Sequence, residues 1–413
     1  MKNYREEYGL PYLKKKLESK RLRVQTRYSY YDMKVTVNEL TSILPKEFSW
    51  LAYALGWCAK AVDSIADRVV FDKFGNDDFG LNEIFKLNNS DVFLDDSVLS
   101  ALISSCSFTY IGQDDTAYPT MQVIDGGNAT GIIDPVTKML SEGYAVLERD
   151  EYKQPSLEAY FRPYQTDYYV KGKLDESLTF VHNAPYALLV PIINRPDANR
   201  PFGHSRISRA CMHITQAVLR TFRRMDISAE FYSFPQKYVL GLSDDAKFNS
   251  RAATMSSFLD IGRDEDGNIP TIGQFQQQSM APYVEQLKSY ASVFAGETGL
   301  TLDDLGFTTD NPASYDAIRA SHESLRLTAR KAQRTFGVGY LNAGYLAACV
   351  RDNYEYDRRA FANTVPEWLP IFEPDAAALG ATGDAIFKIN EAVPGFIGAG
   401  NLRRMTGMES DNG

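Results

Sequence analysis

Arginines recur along two segments of the sequence at spacings that place them on helical faces. In the first segment they are Arg206, Arg209, Arg220, Arg223 and Arg224. In the second they are Arg319, Arg326, Arg330 and Arg334, at spacings of seven, four and four residues. A basic stripe of this kind is typical of surfaces that bind nucleic acids. The alternative is a solvated or subunit-contacting face that pairs with acidic neighbours, and the sequence leaves both open.

Other side chains that could carry chemistry do not form a recognised site. The four histidines are His182, His204, His213 and His322. None has a Cys or His partner at a zinc-ligand spacing, so we predict structural roles for them. Asp63 and Asp67 are one helical turn apart and could act as paired carboxylates, but the adjacent Arg68 favours surface salt bridges.

Residues 264–268, Asp-Glu-Asp-Gly-Asn, partly resemble a calcium-binding loop. The first and twelfth ligand positions would be Gly262 and Gly273, which have no oxygen side chain, so a solvated turn is the better prediction. The sequence also contains no GxxxxGK[ST], GxGxxG, HExxH or GxSxG motif. We therefore predict that the chain is not an enzyme and uses neither a cofactor nor a metal.

The composition indicates a folded protein with a modest negative charge. At 413 residues the chain is long enough for two or three folding units, and its 44% hydrophobic content can supply their cores. A net charge of −9 is unfavourable for tight binding of nucleic acid.

The cysteines and the N-terminal segment indicate a protein that is made and kept inside the cell. The four cysteines, Cys58, Cys106, Cys211 and Cys349, are widely spaced and predict reduced, buried thiols. Residues 1–23 contain no apolar segment of the kind found in signal peptides. The longest apolar run, residues 188–193, is shorter than the roughly 20 residues of a membrane helix.

The N-terminal half predicts one helix followed by short strands. Apolar residues recur at helical spacing through residues 49–70. Four short β-branched or aromatic segments follow, bounded by Gly, Pro, Asp and Asn, and they cover residues 120–124, 143–149, 157–161 and 167–170. These segments predict one small antiparallel sheet.

Two rod-like helices are predicted next. Residues 206–232 contain no Pro or Gly and would form a helix about 40 Å long. A second helix is predicted at 276–295, with Pro282 in its first two turns and Gly296 as its C-terminal cap. Between them we predict a strand at 237–242 and a turn at Asp266-Gly267.

The C-terminal part predicts a third long helix and an irregular tail. Pro312 suits the first turn of a helix that reaches about residue 350. Gly337, Gly339 and Gly344 predict a kink or an unwound turn within that helix, because glycine weakens a helix interior. The tail is predicted to be irregular to about residue 380, with a short helix at 384–392.

Four segments, taken in order, resemble the portal proteins of tailed phages, particularly of siphophages. Residues 62–69 (VDSIADRV) resemble the end of an early family helix, and 194–196 (NRP) with 202–207 (FGHSRI) resemble the segment before the first stem helix. Residues 310–319 (DNPASYDAIR) are similar to the signature that opens the long helix after the tunnel loop. Residues 383–395 resemble the family's C-terminal segment.

This resemblance implies a mixed α+β, multi-domain portal fold. The implied parts are a wing at 1–205, a first stem helix at 206–233, a clip at 234–275, a second stem helix at 276–298, a tunnel loop at 299–311, a long kinked helix returning to the wing at 312–350, and a C-terminal wing and small crown segment at 351–413. Two rods of 30 to 40 Å, about the length expected of such helices, can line a channel when a closed ring repeats them.

The resemblance also implies a function. About twelve copies would form a ring at one capsid vertex, through which double-stranded DNA is packaged and ejected. The tunnel-loop residues facing DNA would be Leu302, Asp303, Asp304, Leu305, Phe307 and Asp310. The implied partners are the terminase, which would spend the ATP, a head-completion adaptor, the major capsid protein and the scaffold, with no membrane.

Two other classes of protein remain as alternatives. Another phage head or neck component, such as a minor head protein or an adaptor, would lack the order of rod, clip and rod. An enzyme with an unrecognised site would need a deep polar pocket with perturbed titrating groups.

Overall fold

The computed structural model of the chain describes residues 8–37, 51–233, 237–240, 271–274, 279–307, 320–372, 376–398 and 401–402. Within these residues the protein is a mixed α/β fold of helices and antiparallel sheets, as predicted. The turn at Asp266-Gly267, the acidic residues 264–268 and Pro312 lie outside the described residues.

Four helices lie among the described residues up to position 104. They are α1 (Leu10–Tyr31), α2 (Trp57–Ala66), α3 (Leu81–Leu87) and α4 (Ser90–Ser104). The predicted helix at 49–70 is confirmed only over α2, because residues 51–55 are not helical and the chain leaves the helix at Asp67. The other three helices were not predicted.

The described residues up to position 193 also contain nine strands, the first of which lies between α2 and α3. They are β1 (Phe71–Gly75), β2 (Cys106–Gln113), β3 (Pro119–Asp125), β4 (Ala129–Ile133), β5 (Leu140–Arg149), β6 (Pro155–Arg162), β7 (Gln165–Val170), β8 (Lys173–Val181) and β9 (Leu189–Ile193). The four predicted strands are confirmed as β3, β5, β6 and β7. The prediction of a single sheet is wrong: β3 belongs to a sheet of order β3-β2-β9, whereas β4 to β8 form a separate five-stranded meander.

A helix, two short paired strands and a second helix follow. They are α5 (Arg209–Ser233), β10 (Lys237–Leu240), β11 (Thr271–Gln274) and α6 (Ala281–Thr298). The strands β10 and β11 pair antiparallel, with Lys237 opposite Gln274. The helix α5 starts three residues later than predicted, because the Ser208 hydroxyl accepts a hydrogen bond from the Cys211 backbone N–H and caps the helix there.

The second helix of this pair ends later than predicted. Pro282 lies in its first turn, as expected. Gly296 is inside the helix, and Gly299 terminates it instead, with the left-handed φ of 70° that glycine adopts readily.

The long C-terminal helix, α7 (Glu323–Arg351), runs without an interruption through its three glycines. The predicted break is therefore wrong. A Cβ at Gly339 would lie 2.6 Å from Ile192 Cδ1, and one at Gly344 would lie 2.9 Å from Leu81 Cδ1. At Gly337 it would lie 3.1 Å from Pro366. These glycines let neighbouring segments approach the helix closely, and this packing outweighs their unfavourable helix propensity.

The tail is more ordered than predicted. A 3₁₀ helix (Arg358–Asn363) precedes β12 (Val365–Trp368), which pairs antiparallel with β1. The last helix, α8 (Ala376–Ala392), contains the predicted segment 384–392 but begins eight residues earlier.

One large core joins the helices α1 to α7 with the β3-β2-β9 sheet and with part of the five-stranded sheet. Its largest fully buried side chains include Tyr340, Tyr345 and Phe336 of α7. A smaller cluster lies where Leu13 and Leu17 of α1 pack on the five-stranded sheet. The four cysteines are free and buried, as predicted. Among the described helices, none is both long enough and apolar enough to cross a membrane.

Candidate functional site

The helices α5 and α6 form an antiparallel pair that is tied at both ends. Near the body of the protein, the Ser208 hydroxyl donates to Glu297 Oε1 at 2.9 Å. Toward the far end, the hydroxyl oxygens of Ser228 and Tyr283 lie 2.8 Å apart. The antiparallel strands β10 and β11 lie between α5 and α6 in the sequence, so the described residues of this part run in the order helix, strand, strand and helix.

Arg206 fixes this pair to α2. Its guanidinium donates to the backbone oxygen of Ala61 at 3.0 Å and to that of Thr298, which is the last residue of α6. Burial lowers the pKa of the Arg206 guanidinium to about 10. Arg206 precedes α5 and is engaged with carbonyls, so its prediction as part of an exposed basic helix face is wrong.

Aromatic packing strengthens the same junction. The rings of Trp57 in α2 and Phe294 in α6 have centroids 5.4 Å apart. Next to them, Cys58 Sγ lies 3.3 Å from Thr215 Oγ1 of α5. Because α2, α5 and α6 meet in buried contacts, the near end of the helix pair is rigidly attached to the rest of the protein.

The other arginines of α5 do not share one environment. Arg209 is exposed, Arg220 and Arg224 are half-buried, and Arg223 is buried with its guanidinium donating to the Leu51 backbone oxygen at 2.5 Å. A single basic stripe along this helix is therefore not formed.

The loop after α6 is folded back onto the body. Its short 3₁₀ helix (Asp303–Leu305) is closed by the side chain of Asp304, which accepts hydrogen bonds from Thr301 N and Thr301 Oγ1, both at 2.9 Å. His322, at the start of α7, places Nε2 3.2 Å from Asp304 Oδ2. Burial on its own would raise the pKa of Asp304, but the bonds from Thr301 and the interaction with His322 outweigh it and lower that pKa.

The apolar residues of this loop contact the protein body. Leu305 is buried, and Leu302 and Phe307 pack partly against the main core. The Phe307 ring lies 6.5 Å from that of Trp57. Among the six residues predicted to face DNA, Asp303 is exposed, whereas Asp310 lies outside the described residues. The structure thus gives the apolar members an anchoring role, and a DNA-facing role for the loop stays a prediction.

The arginines of α7 lie in different surroundings. Arg326 forms two hydrogen bonds of 2.7 Å with the Glu323 carboxylate, as the pairing interpretation predicts. Arg330 and Arg334 are exposed, and Arg319 lies outside the described residues. Arg326, Arg330 and Arg334 lie on one face that begins in the first turn of α7. Whether this face binds a nucleic acid or a second copy of the chain stays undecided, as in the sequence analysis.

The predicted structural roles of three histidines agree with their contacts. The Nδ1 atom of buried His182 accepts from the Ala184 backbone N–H, and burial lowers the pKa of this imidazole to about 4. His204 Nε2 lies 2.6 Å from Asp197 Oδ2, and His322 contacts Asp304. Within the described ranges, no group of three or more His, Cys, Asp or Glu side chains could hold a metal ion.

The carboxylates of Asp63 and Asp67 do not act as a pair. Asp63 accepts a hydrogen bond of 2.9 Å from the Tyr31 hydroxyl of α1. The predicted salt bridge with Arg68 is not formed, because that guanidinium donates to the Ser64 backbone oxygen. Asp63 therefore joins α1 to α2.

The chain is similar in sequence to the portal proteins of two mycobacterial phages. No protein-family model matches the sequence. The chain is 24% identical to the portal protein of Mycobacterium phage L5 over 77% of its length and 69% of that protein. It is 23% identical to the portal protein of Mycobacterium phage D29 over 80% of its length and 72% of that protein. The predicted resemblance to phage portal proteins is thereby confirmed.

Several solved structures are also similar to the chain. A chain of the native gene transfer agent virion has a TM-score of 0.42 at 13% identity, covering 86% of this chain and 90% of that one. A chain of the native gene transfer agent neck, computed with C12 symmetry, has a TM-score of 0.45 at 14% identity, with the same coverages.

Proposed function

We propose that this chain is a portal subunit, which forms a closed ring at one vertex of a phage capsid and lets double-stranded DNA pass through an axial channel. The observation that carries this proposal is the antiparallel pair α5 and α6, joined by paired strands at one end and fixed to the body at the other. The similarity to two curated portal proteins over most of the chain supports it.

In this proposal the parts of the chain have the roles that the resemblance implies. The wing covers 1–205, the stem helices 206–233 and 276–298, the clip 234–275, the tunnel loop 299–311, the long helix 312–350, and the C-terminal wing and crown 351–413. The 25 residues of α5 span about 37 Å and the 18 residues of α6 about 27 Å, enough to form the wall of a channel.

Exposed apolar residues on α6 support assembly into a ring. Val284 is 53% exposed and Val293 is 57% exposed. Nine residues apart at about 100° per residue, they lie on opposite sides of the helix. A ring built from head-to-tail contacts gives each subunit a different neighbour on each side, and such neighbours would cover both valines.

The oligomeric state tests this proposal. We expect sedimentation to give one large species of ring size. An introduced thiol refines the test, since the four native cysteines are all buried. The Val293→Cys variant should react with a maleimide when the protein is monomeric and be protected in the assembled ring. Equal labelling in both states would exclude Val293 from the subunit interface.

We propose that the tunnel loop presents charge rather than apolar bulk to DNA. Asp303 is exposed, while Leu305 is buried and Phe307 packs beside Trp57. An exposed carboxylate repels the phosphate backbone, which keeps a moving duplex from binding to the wall.

A charge reversal at this position tests the loop. In a packaging assay, Asp303→Lys should slow DNA translocation and make it more sensitive to salt, because each added phosphate contact is salt-dependent. Asp303→Asn serves as the control that removes the charge without reversing it. If both variants package DNA at the wild-type rate, the loop does not face DNA in the channel.

The proposed partners are the terminase and then a head-completion adaptor at the clip, and the major capsid protein and scaffold at the wing. In the clip, the described strands β10 and β11 provide backbone amides for hydrogen exchange. Either partner should protect this segment, and an unprotected clip in both complexes would reject the docking site. The role is structural rather than enzymatic, at the portal vertex of the virion after assembly in the host cytoplasm.

A further inference from the structure

The first described helix carries a concentration of positive charge in a protein that is negative overall. Within its 22 residues, α1 contains seven Lys and Arg and one Glu, so its net charge is +6. Because the whole chain is −9, the remaining residues together carry −15. Such a separation is unlike the mixed charges of an ordinary solvated helix.

Three separate segments bring positive side chains together at one surface. We define the α1 basic surface as Lys20, Arg23, Arg27, Arg200 and Arg209. The first three lie on α1, Arg200 lies in the loop after β9, and Arg209 is the first residue of α5. Lys20 Nζ lies 4.8 Å from the centroid of the Phe202 ring, which brings the loop against the helix.

These charges lie close enough together to repel one another. Burial, followed by the positive charges of Arg23 and Arg200, lowers the pKa of the Arg27 guanidinium, and Arg209 contributes in the same direction. In the part of the chain that the structure describes, none of the five forms an ion pair with a carboxylate. The nearby Asp197 is already bonded to His204 and to backbone amides.

The surroundings of these charges favour a nucleic acid over a protein as the partner. A protein interface has an apolar centre from which charged residues are depleted. Here the exposed apolar side chain on the same stretch of helix is Leu22, and the other exposed side chains are those of Arg23, Gln25 and Thr26. Arginine forms paired hydrogen bonds with phosphate, and four of the five residues are arginines.

The dimensions also suit duplex DNA. Residues 20–27 extend about 10 Å along α1. Over that distance duplex DNA presents about six phosphate charges, because it carries one per ~1.7 Å of axis. Arg209 stands at the N-terminus of α5, whose positive dipole end adds to the attraction for anions.

We propose that the α1 basic surface binds the phosphate backbone of double-stranded DNA, without sequence preference, on the outside of the body rather than in the channel. Arg209 is the first residue of α5 and so belongs to the proposed stem, but the proposal does not depend on the tunnel loop. A DNA-binding exterior and a tunnel loop that repels DNA are compatible, since Asp303 lies on a different part of the chain from these five residues.

A covalently closed circular plasmid is the probe that separates the two sites. Closed circles cannot thread through a preformed ring, so any binding reports an outer surface. The wild-type protein should bind this plasmid at low salt, with an affinity that falls steeply as salt is raised.

A charge-matched pair of variants tests the named residues. The variant Arg23→Gln/Arg200→Gln/Arg209→Gln should lose affinity by ~10-fold or more and reduce the slope of log affinity against log salt by roughly 2 to 3. The control Lys153→Gln/Lys171→Gln/Lys173→Gln removes the same charge from exposed positions of the five-stranded sheet and should bind as the wild type does.

A third variant separates the effect of charge from any effect of the substitutions on folding. The charge-preserving Arg23→Lys/Arg200→Lys/Arg209→Lys protein should retain the wild-type salt slope. The proposal is overturned if the wild type does not bind closed circles at low salt, or if both Gln variants bind equally. If the variant Arg23→Gln/Arg200→Gln/Arg209→Gln no longer assembles into rings but binds DNA as the wild type does, the partner is instead an acidic surface of a second copy. The ring and channel proposal would survive the first two outcomes.

Discussion

The second half of α7 and the far half of α6 are both helical, but they obtain their stability in different ways. From Phe336 to Val350, α7 is almost entirely buried and its glycines touch neighbouring strands and helices. In α6, the buried residues lie between Leu287 and Thr298, and the first turns have none. The body of the protein is stabilised by its own chain, whereas the first turns of α6 are not buried by any of the residues that the structure describes.

The largest contrast between the two regions is expected at their glycines. Gly339→Val should lower the free energy of unfolding by about 3 kcal/mol or more, because even a Cβ would lie 2.6 Å from Ile192 Cδ1. Gly296→Ala in α6 should raise it by roughly 0.5 to 1 kcal/mol, since no atom lies within 4 Å of the added carbon. Urea unfolding of both variants measures this, and equal effects would abolish the contrast.

The junction between the two regions depends on Arg206. Replacing it with Met should cost about 2 to 3 kcal/mol, because the carbonyls of Ala61 and Thr298 lose their charged donor. Arg206→Lys can keep one of the two bonds and should cost less. Thermal unfolding compares them, and a neutral Arg206→Met would show that the aromatic packing at Trp57 is sufficient to hold the junction.

Acid should weaken the body through His182. Its folded-state pKa is about 4, below the ordinary value of 6.5, so the unfolded chain binds more protons between these values. Stability should therefore be lost as the pH falls through that window, by about 2 kcal/mol between pH 7 and pH 5.

A substitution isolates this effect from the other titrating groups. His182→Gln should reduce the loss between pH 7 and pH 5, measured by urea unfolding at the two values. Its neutral side chain can still accept from the Ala184 amide as Nδ1 does. The same pH dependence in both proteins would assign the acid sensitivity to another group.

The smallest expected effect concerns the loop between the stem and α7. Asp304→Asn weakens the bonds from Thr301 and His322 and should cost about 1 kcal/mol locally. Hydrogen exchange of the loop amides should become faster, while that of α7 from Phe336 onward stays unchanged. Faster exchange throughout α7 would mean that loop and body unfold together.

Sequence patterns predicted helices and strands well where residues close in sequence determine the secondary structure. The strands β5, β6 and β7 and the first-turn Pro282 followed from such patterns. The helix α1 was missed because its buried residues, such as Leu13 and Val24, are separated by charged ones. The break expected at Gly339 was wrong because tight packing against β9, distant in sequence, keeps that turn helical.

The sequence predicted the order of the elements that form the candidate site, but not the contacts between them. Apolar spacing located the two helices along the chain to within a few residues at most of their ends. It could not indicate that Phe307 packs beside Trp57, or that Arg206 caps carbonyls of two other segments, because those contacts join residues far apart in sequence. The α1 basic surface was hidden for the same reason, since Arg200 and Arg209 join it only in three dimensions.

Electron cryomicroscopy of the purified protein tests the central claim most directly. The portal account predicts closed rings with an axial hole, in which α5 and α6 of every copy surround the channel and the first turns of α6 contact a neighbouring copy. A protein that stays monomeric at every concentration and salt, or rings that carry α5 and α6 on their outer rim, would contradict it.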